Sequence, residues 1–283
     1  MRGKTCICIV LTCLILLGCG STPDIPATVK ATWTPLLTKT DMPTLTATLT
    51  PLPTETQTPL PTLEPEQAEE AIKELLWNNP NCLAPCFMGI IPDQTTLDEA
   101  KAIFMHLGLD LEQTDAQDNK KFYAVIYELS SGLSIHVRLV VQSGIVRNLD
   151  VPFTPPHDQS SNAPREWLPY SPETLINKNG LPSKVKFFVD RGPRPSYAMN
   201  LYFDAVDLII EYYSYDLGPN LRICPLTDQV DSVRIWIGKD PEYPPPYVTP
   251  LKEGTSLTIE EFANLMTGNP GQACFDLREE AFP

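Results

Sequence analysis

Apolar residues recur with a helical period in four stretches of the chain. In Glu66–Trp77, Ala68, Ala71, Ile72, Leu75 and Leu76 fall at i, i+3, i+4, i+7 and i+8, one buried stripe of an amphipathic helix. A second helix starts at Thr96, which has capping-box spacing to Glu99. Its apolar face is Leu97, Ala100, Ile103, Phe104 and Leu107, and Gly108 supplies the stop. Ser171-Pro172 is a cap followed by proline at the first helical position, and that helix ends at Gly180 with Pro182 beyond. Thr258 and Glu261 repeat the capping-box spacing and open a last helix to Met266, with Gly268 after it.

Between these helices the pattern changes to strands. Lys121–Leu129, Leu133–Val141 and Ile145–Val151 are rich in Val, Ile, Tyr and Phe, and only Ser-Ser-Gly and Gln-Ser-Gly separate them. Lys184–Val189, Tyr197–Phe203, Val206–Tyr213 and Val233–Ile237 read the same way. Strands joined this tightly are antiparallel, because a parallel crossover needs about a dozen residues or more. That argues against a doubly wound dinucleotide fold. The expected class is α+β: antiparallel sheet meanders with a few packed helices. The plan repeats on either side of Pro155–Pro164, which suggests two tandem halves, 66–155 and 156–283.

The first 65 residues fit neither pattern. Arg2 and Lys4 precede an apolar run from Thr5 to Leu17, too short to span a bilayer comfortably and suited to a signal-peptide core. The run ends in Leu16-Leu17-Gly18-Cys19. This resembles the lipobox of bacterial lipoproteins. The resemblance implies a signal peptide over 1–18, cleavage before Cys19, and diacylglyceryl transfer to the Cys19 thiol. Several acyl chains on Cys19 would anchor the protein stably in a cell membrane, on the extracytoplasmic side.

After Cys19 comes a segment that cannot build secondary structure. From Ser21 to Pro65, 14 of 45 residues are Thr and 9 are Pro. Leu36, Leu45 and Leu60 are scattered without a period, and proline removes the donors a helix or sheet needs. Residues 19–65 therefore read as a lipidated cysteine on a disordered Pro/Thr-rich stalk. Its reach, at about 3.1 Å per residue, is on the order of 140 Å. Dense threonine also offers O-glycosylation sites.

Charge then narrows the partners. The formal net charge is −14. The basic and acidic residues before Glu66 cancel, so the exported domain carries all of it. That excludes an electrostatic nucleic-acid binder and adhesion to anionic lipid by charge.

Thr95-Thr96-Leu97-Asp98-Glu99-Ala100 and Gly180-Leu181-Pro182 resemble the helix start and Gly-x-Pro turn of BamE/SmpA-type envelope lipoproteins and of the related β-lactamase-inhibitor-like fold. That likeness implies small antiparallel sheets that bind other proteins without catalysis. The chain is also similar, in plan, to uncharacterised bacterial lipoproteins with a lipobox, a Pro/Thr stalk and a Cys-x-x-Pro-Cys-aromatic motif. Here Cys82, Pro85, Cys86, Phe87, Gly89, Ile90, Pro92, Thr95, Thr96, Glu99 and Ala100 carry the likeness.

Cysteines are the sharpest chemical feature. Cys6, Cys8 and Cys13 leave with the signal and Cys19 takes the lipid, which leaves Cys82, Cys86, Cys224 and Cys274. An even number in an exported domain points to disulfides. Of the three pairings, Cys82–Cys86 and Cys224–Cys274 are favoured. The alternative is redox or copper chemistry at the Cys-x-x-x-Cys pair, with His106, His136 or His157 as a third ligand. A thioredoxin plan, however, needs βαβ units that this chain lacks.

Other chemistry is thin. There is no Gly-x-Ser-x-Gly, His-Glu-x-x-His, phosphate loop or EF-hand loop. Asp98 and Glu99 suit a helix N-terminus. Tyr243 and Tyr247, on the stiff run Asp240–Tyr247, offer a partner-docking loop. The expectation is a lipid-anchored binding or structural lipoprotein with no enzymatic activity, cofactor or metal. Its partners would be the membrane, through the lipid on Cys19, and another envelope protein or a cell-wall polymer.

Overall fold

The computed structural model describes residues 61–78, 82–154, 168–215, 217, 221–225, 230–239, 248–268 and 273–282. Cys19 and the stalk up to residue 60 lie outside them, as do His157, Tyr243 and Tyr247.

Helix α1 (Pro65–Lys73) begins with proline at its first position and continues as a π turn over Glu74–Asn78. Helix α2 (Leu97–His106) has the full capping box: Thr96 Oγ1 accepts from the Glu99 amide, and the Glu99 carboxylate accepts from the Thr96 amide at 2.7 Å. Next come β1 (Glu112–Gln117), β2 (Lys120–Glu128), β3 (Ser134–Gln142) and β4 (Ile145–Thr154). Helix α3 (Pro172–Asn179) is capped by Ser171, and Gly180 ends it at φ 80°. Strands β5 (Lys184–Asp190), β6 (Ser196–Phe203) and β7 (Leu208–Ser214) form the second meander. Short β8 (Arg222–Ile223) precedes β9 (Ser232–Ile237). The chain closes with β10 (Thr249–Pro250), α4 (Leu251–Gly254), α5 (Ile259–Gly268) and β11 (Phe275–Asp276).

Nine strands make one antiparallel sheet in the order β1-β2-β3-β4-β9-β7-β6-β5-β10, and β8 pairs separately with β11. The architecture is α+β, as the pattern of the chain implies. The two meanders meet at β4 and β9; from that seam β3, β2 and β1 follow on one side and β7, β6 and β5 on the other, in reverse chain order, with β10 added at the second edge. Seam register sets Leu149 opposite Ile237, Val151 opposite Ile235 and Phe153 opposite Val233. Gly238 follows at φ 117°, and a Cβ there would stand 2.5 Å from the Arg147 carbonyl, so only glycine fits.

Local chemistry fixes the turns. Ser143 and Gly144 both have positive φ, the type I′ geometry that matches strand twist. The Gly144 carbonyl also accepts from the Leu97 amide, which ties this hairpin to the start of α2.

One core joins both meanders and the helices on a single face of the sheet. Val125, Val137, Leu139, Val151, Ile235, Ile210, Leu201 and Phe187 point into it, with Ile72, Phe104, Leu175 and Phe262 from the helices. Ring contacts thread its far end, where Phe275 lies 5.6 Å from Phe187 and 5.9 Å from Phe262.

Several details differ from the sequence expectation. Strand β1 is wholly exposed, so Glu112–Gln117 has no apolar alternation to betray it. Strand β4 runs through Pro152 to Thr154; alternate residues bond alternate neighbours, so one missing N–H costs the ladder a single bond. Val206 lies in a 3₁₀ turn over Asp204–Val206, and the last helix includes Gly268.

Candidate functional site

Two places concentrate chemistry. The first is the sheet face turned away from the core. Strand alternation puts Asp150 of β4, Arg234 and Trp236 of β9, Glu211 of β7, and Asn200 and Tyr202 of β6 on this face, because their sequence neighbours point inward. Arg234 donates to both Asp150 oxygens, each at 2.7 Å, a bidentate pair. Arg138 reaches the same carboxylate at 3.5 Å. The Arg234 guanidinium also lies over the Trp236 ring, 4.7 Å from its centroid.

Across the next strand, Glu211 is opposite Arg234 in register. Burial pushes the Glu211 carboxyl above the usual glutamate range, with Arg234 pulling the other way. Asn200 is opposite Glu211 and fully buried. Its amide has no partner of good geometry among the described residues and makes at most a loose contact with the Glu211 carboxylate. Burial, aided by Glu211 and Asp204, pushes the Tyr202 phenol up to about 12. Both Asp150 oxygens are thus engaged by Arg234, with Arg138 close by, in an ion-paired cluster.

This face changes character along the sheet. On β2 and β3 it is more open: Phe122, His136 and Val140 are half-buried, Arg138 is exposed, and Ile126 is 62% exposed. His136 shares a hydrogen bond with Ser134 Oγ at 3.1 Å.

The second place is the Cys82–Cys86 loop. The two sulfurs are bonded, with Cα atoms 4.9 Å apart. The Cys86 amide donates to the Leu83 carbonyl, and the Gly89 amide donates to Cys82 Sγ at 3.2 Å. Phe87 and Ile90 exchange backbone hydrogen bonds, and Phe87 packs edge-on to Phe153 at 6.4 Å. The loop is thus clamped to the core. Beneath it lies a cavity of about 80 Å³, whose lining includes Trp77, Leu83, Phe87, Tyr170, Leu175 and Asn179. That is far smaller than ordinary ligand pockets. Its floor is held by polar rings: Tyr170 donates to the Leu76 carbonyl at 2.7 Å, and Tyr212 donates to the Tyr170 carbonyl. Burial raises the Tyr170 phenol above its ordinary value.

The sequence-predicted residues are distributed as follows. Cys224–Cys274 is the second disulfide, joining the segment after β8 to the one before β11. Neither described histidine lines the cavity beside Cys82–Cys86. His106 Nδ1 donates to the Pro61 carbonyl at 2.6 Å instead. Among the described residues no group of three His, Cys, Asp or Glu is placed to hold a metal ion. The lipidation candidate Cys19 and the docking loop of Tyr243 and Tyr247 lie outside the described residues. Sequence reading missed the network of Asp150, Arg234, Glu211, Asn200, Trp236 and Tyr202. Its members are the polar positions of alternating strands, and only the pairing of β4 with β9 assembles them.

Among the described residues no helix is long and apolar enough to cross a membrane. No protein-family model, no curated protein and no solved structure matches the chain.

Proposed function

We propose that the protein is a lipid-anchored, extracytoplasmic binding module without catalytic activity, which meets another envelope protein or a wall polymer through the open part of its sheet. The carrying observation is the bare face of β2 and β3. It offers exposed Ile126 and Arg138 and half-buried Phe122, His136 and Val140 to a partner, on the side of the sheet opposite the shared core. Aromatic, aliphatic and arginine side chains on a rigid surface are the ordinary material of an interface. The locked Arg234–Asp150 pair next to them supports positioning rather than turnover. Attachment rests on the lipobox-like Leu16–Cys19 and the stalk after it. Against redox or copper chemistry stand the clamping of the Cys82–Cys86 loop by Phe87 and the position of the two described histidines, His106 and His136, away from the cavity beside it.

The test pairs location with binding. Cys19→Ala should move the protein from the membrane fraction to the soluble one. Ile126→Asp with Arg138→Glu should abolish co-sedimentation with purified wall polymer or cross-linking to an envelope partner, leaving the thermal midpoint unchanged. Persistent anchoring of the first variant, or unchanged association of the second, would overturn the corresponding part.

A further inference from the structure

We propose that the groove between the β5 edge and the α4–α5 segment binds a single-chain anionic amphiphile, with its carboxylate at the lysines and its alkyl chain along the apolar floor. The groove encloses about 390 Å³, within the range of about 300–1,000 Å³ that small ligands occupy. Val185, Pro250, Leu251, Leu257 and Ile259 make an apolar lining, and Lys184, Lys186 and Lys252 stand around it. Three lysines about one apolar groove are unexpected in a chain of net charge −14.

Their surroundings select the ligand. Asp204 holds Lys184 at 2.9 Å, so that charge is spent locally. Lys186 lies 5.2 Å from the Tyr202 ring centroid, and neither Lys186 nor Lys252 meets a carboxylate within ion-pair distance among the described residues. These two ammonium groups supply the attraction for an anion. The α5 N-terminus does not compete for it. Thr258 and Glu261 satisfy each other there, the Thr258 amide donating to the Glu261 carboxylate at 2.8 Å and the Glu261 amide to Thr258 Oγ1 at 3.2 Å. An acidic peptide fits poorly, since its backbone would lie on apolar side chains and beside Pro250, which has no N–H to give. An alkyl chain asks nothing polar of that floor and gains from burial.

Isothermal titration of the mature full-length chain with decanoate below its micelle threshold tests this, with decanol as the uncharged control. The expected result is one decanoate site per chain, weakened about tenfold or more by Lys186→Gln with Lys252→Gln at an unchanged thermal midpoint. Decanol should bind more weakly than decanoate and be insensitive to those substitutions. Leu257→Asp should remove both ligands. Absence of saturable decanoate binding, equal binding by all variants, or decanol binding as tightly as decanoate would overturn the proposal. None of these outcomes bears on the lipid anchor or the open sheet face.

Discussion

The two meanders share one core face but differ on the other. On β2 and β3 the second face is solvated, so apolar and polar positions alternate and Ile126 stands in water. On β6 all eight residues are buried, including Ser196, Asn200 and Tyr202. Trp236 and Ala198 are likewise buried yet stand apart from the main core. One sheet therefore carries an adaptable surface at one end and a tightly enclosed one at the other. A solvated face is free to meet a partner, whereas an enclosed face is committed to stability.

The largest break in this comparison should come from the disulfides. Cys224–Cys274 spans 50 residues and staples the second half, while Cys82–Cys86 spans 4 in the first. By loop entropy the long bridge contributes roughly 4 kcal/mol and the short one roughly 2 kcal/mol, a model-dependent estimate. Urea midpoints of the two paired Cys→Ala variants should keep that order. Gly238→Ala attacks the seam itself, through positive φ and the Arg147 carbonyl. A loss of about 3 kcal/mol is expected in denaturant unfolding.

Placing a charge on each end sharpens the contrast. Ala198→Asp buries an unpaired carboxylate and should cost about 3 kcal/mol, whereas Ile126→Asp should stay within about 0.5 kcal/mol of wild type. Equal effects would erase the distinction between the two faces. The smallest effect concerns Glu211. Its raised carboxyl pKa means the folded chain keeps a proton that the unfolded chain has already released. Stability from this group therefore falls as pH rises from the ordinary glutamate range through the raised native value. Glu211→Gln should flatten that part of the pH–stability curve, gaining on wild type near pH 7 and losing the gain in acid. Half-buried Glu69 and exposed Glu99 and Glu280 have lowered values and act with the opposite sign.

How much of this was legible follows from the same contrast. Where one face is wet, alternation marks the strand, and β2, β3 and β4 start within a residue of their expected positions. Capping at Thr96 and Ser171 and the stop at Gly180 were readable because each depends on neighbours in sequence. Strand β1 was invisible because it has no buried side, and the two-residue β8, β10 and β11 are too short to show a period. Both disulfides, Cys82–Cys86 and Cys224–Cys274, follow the favoured pairing. The polar network could not be read: Asp150 and Arg234 are 84 residues apart, and nothing in either strand names its partner. The lysine groove is hidden for the same reason, since β5 and α4 are more than 60 residues apart in the chain and the pairing of β10 with β5 brings them together.

The most direct test of the account is the intact mass of the protein recovered from the cell envelope, measured before and after reduction. The account predicts a chain that starts at Cys19, carries acyl mass on that residue, and gains four hydrogens on reduction as both disulfides open. A chain that retains residues 1–18, or an unmodified Cys19, would contradict the anchor. No mass gain on reduction would contradict the stapled domain.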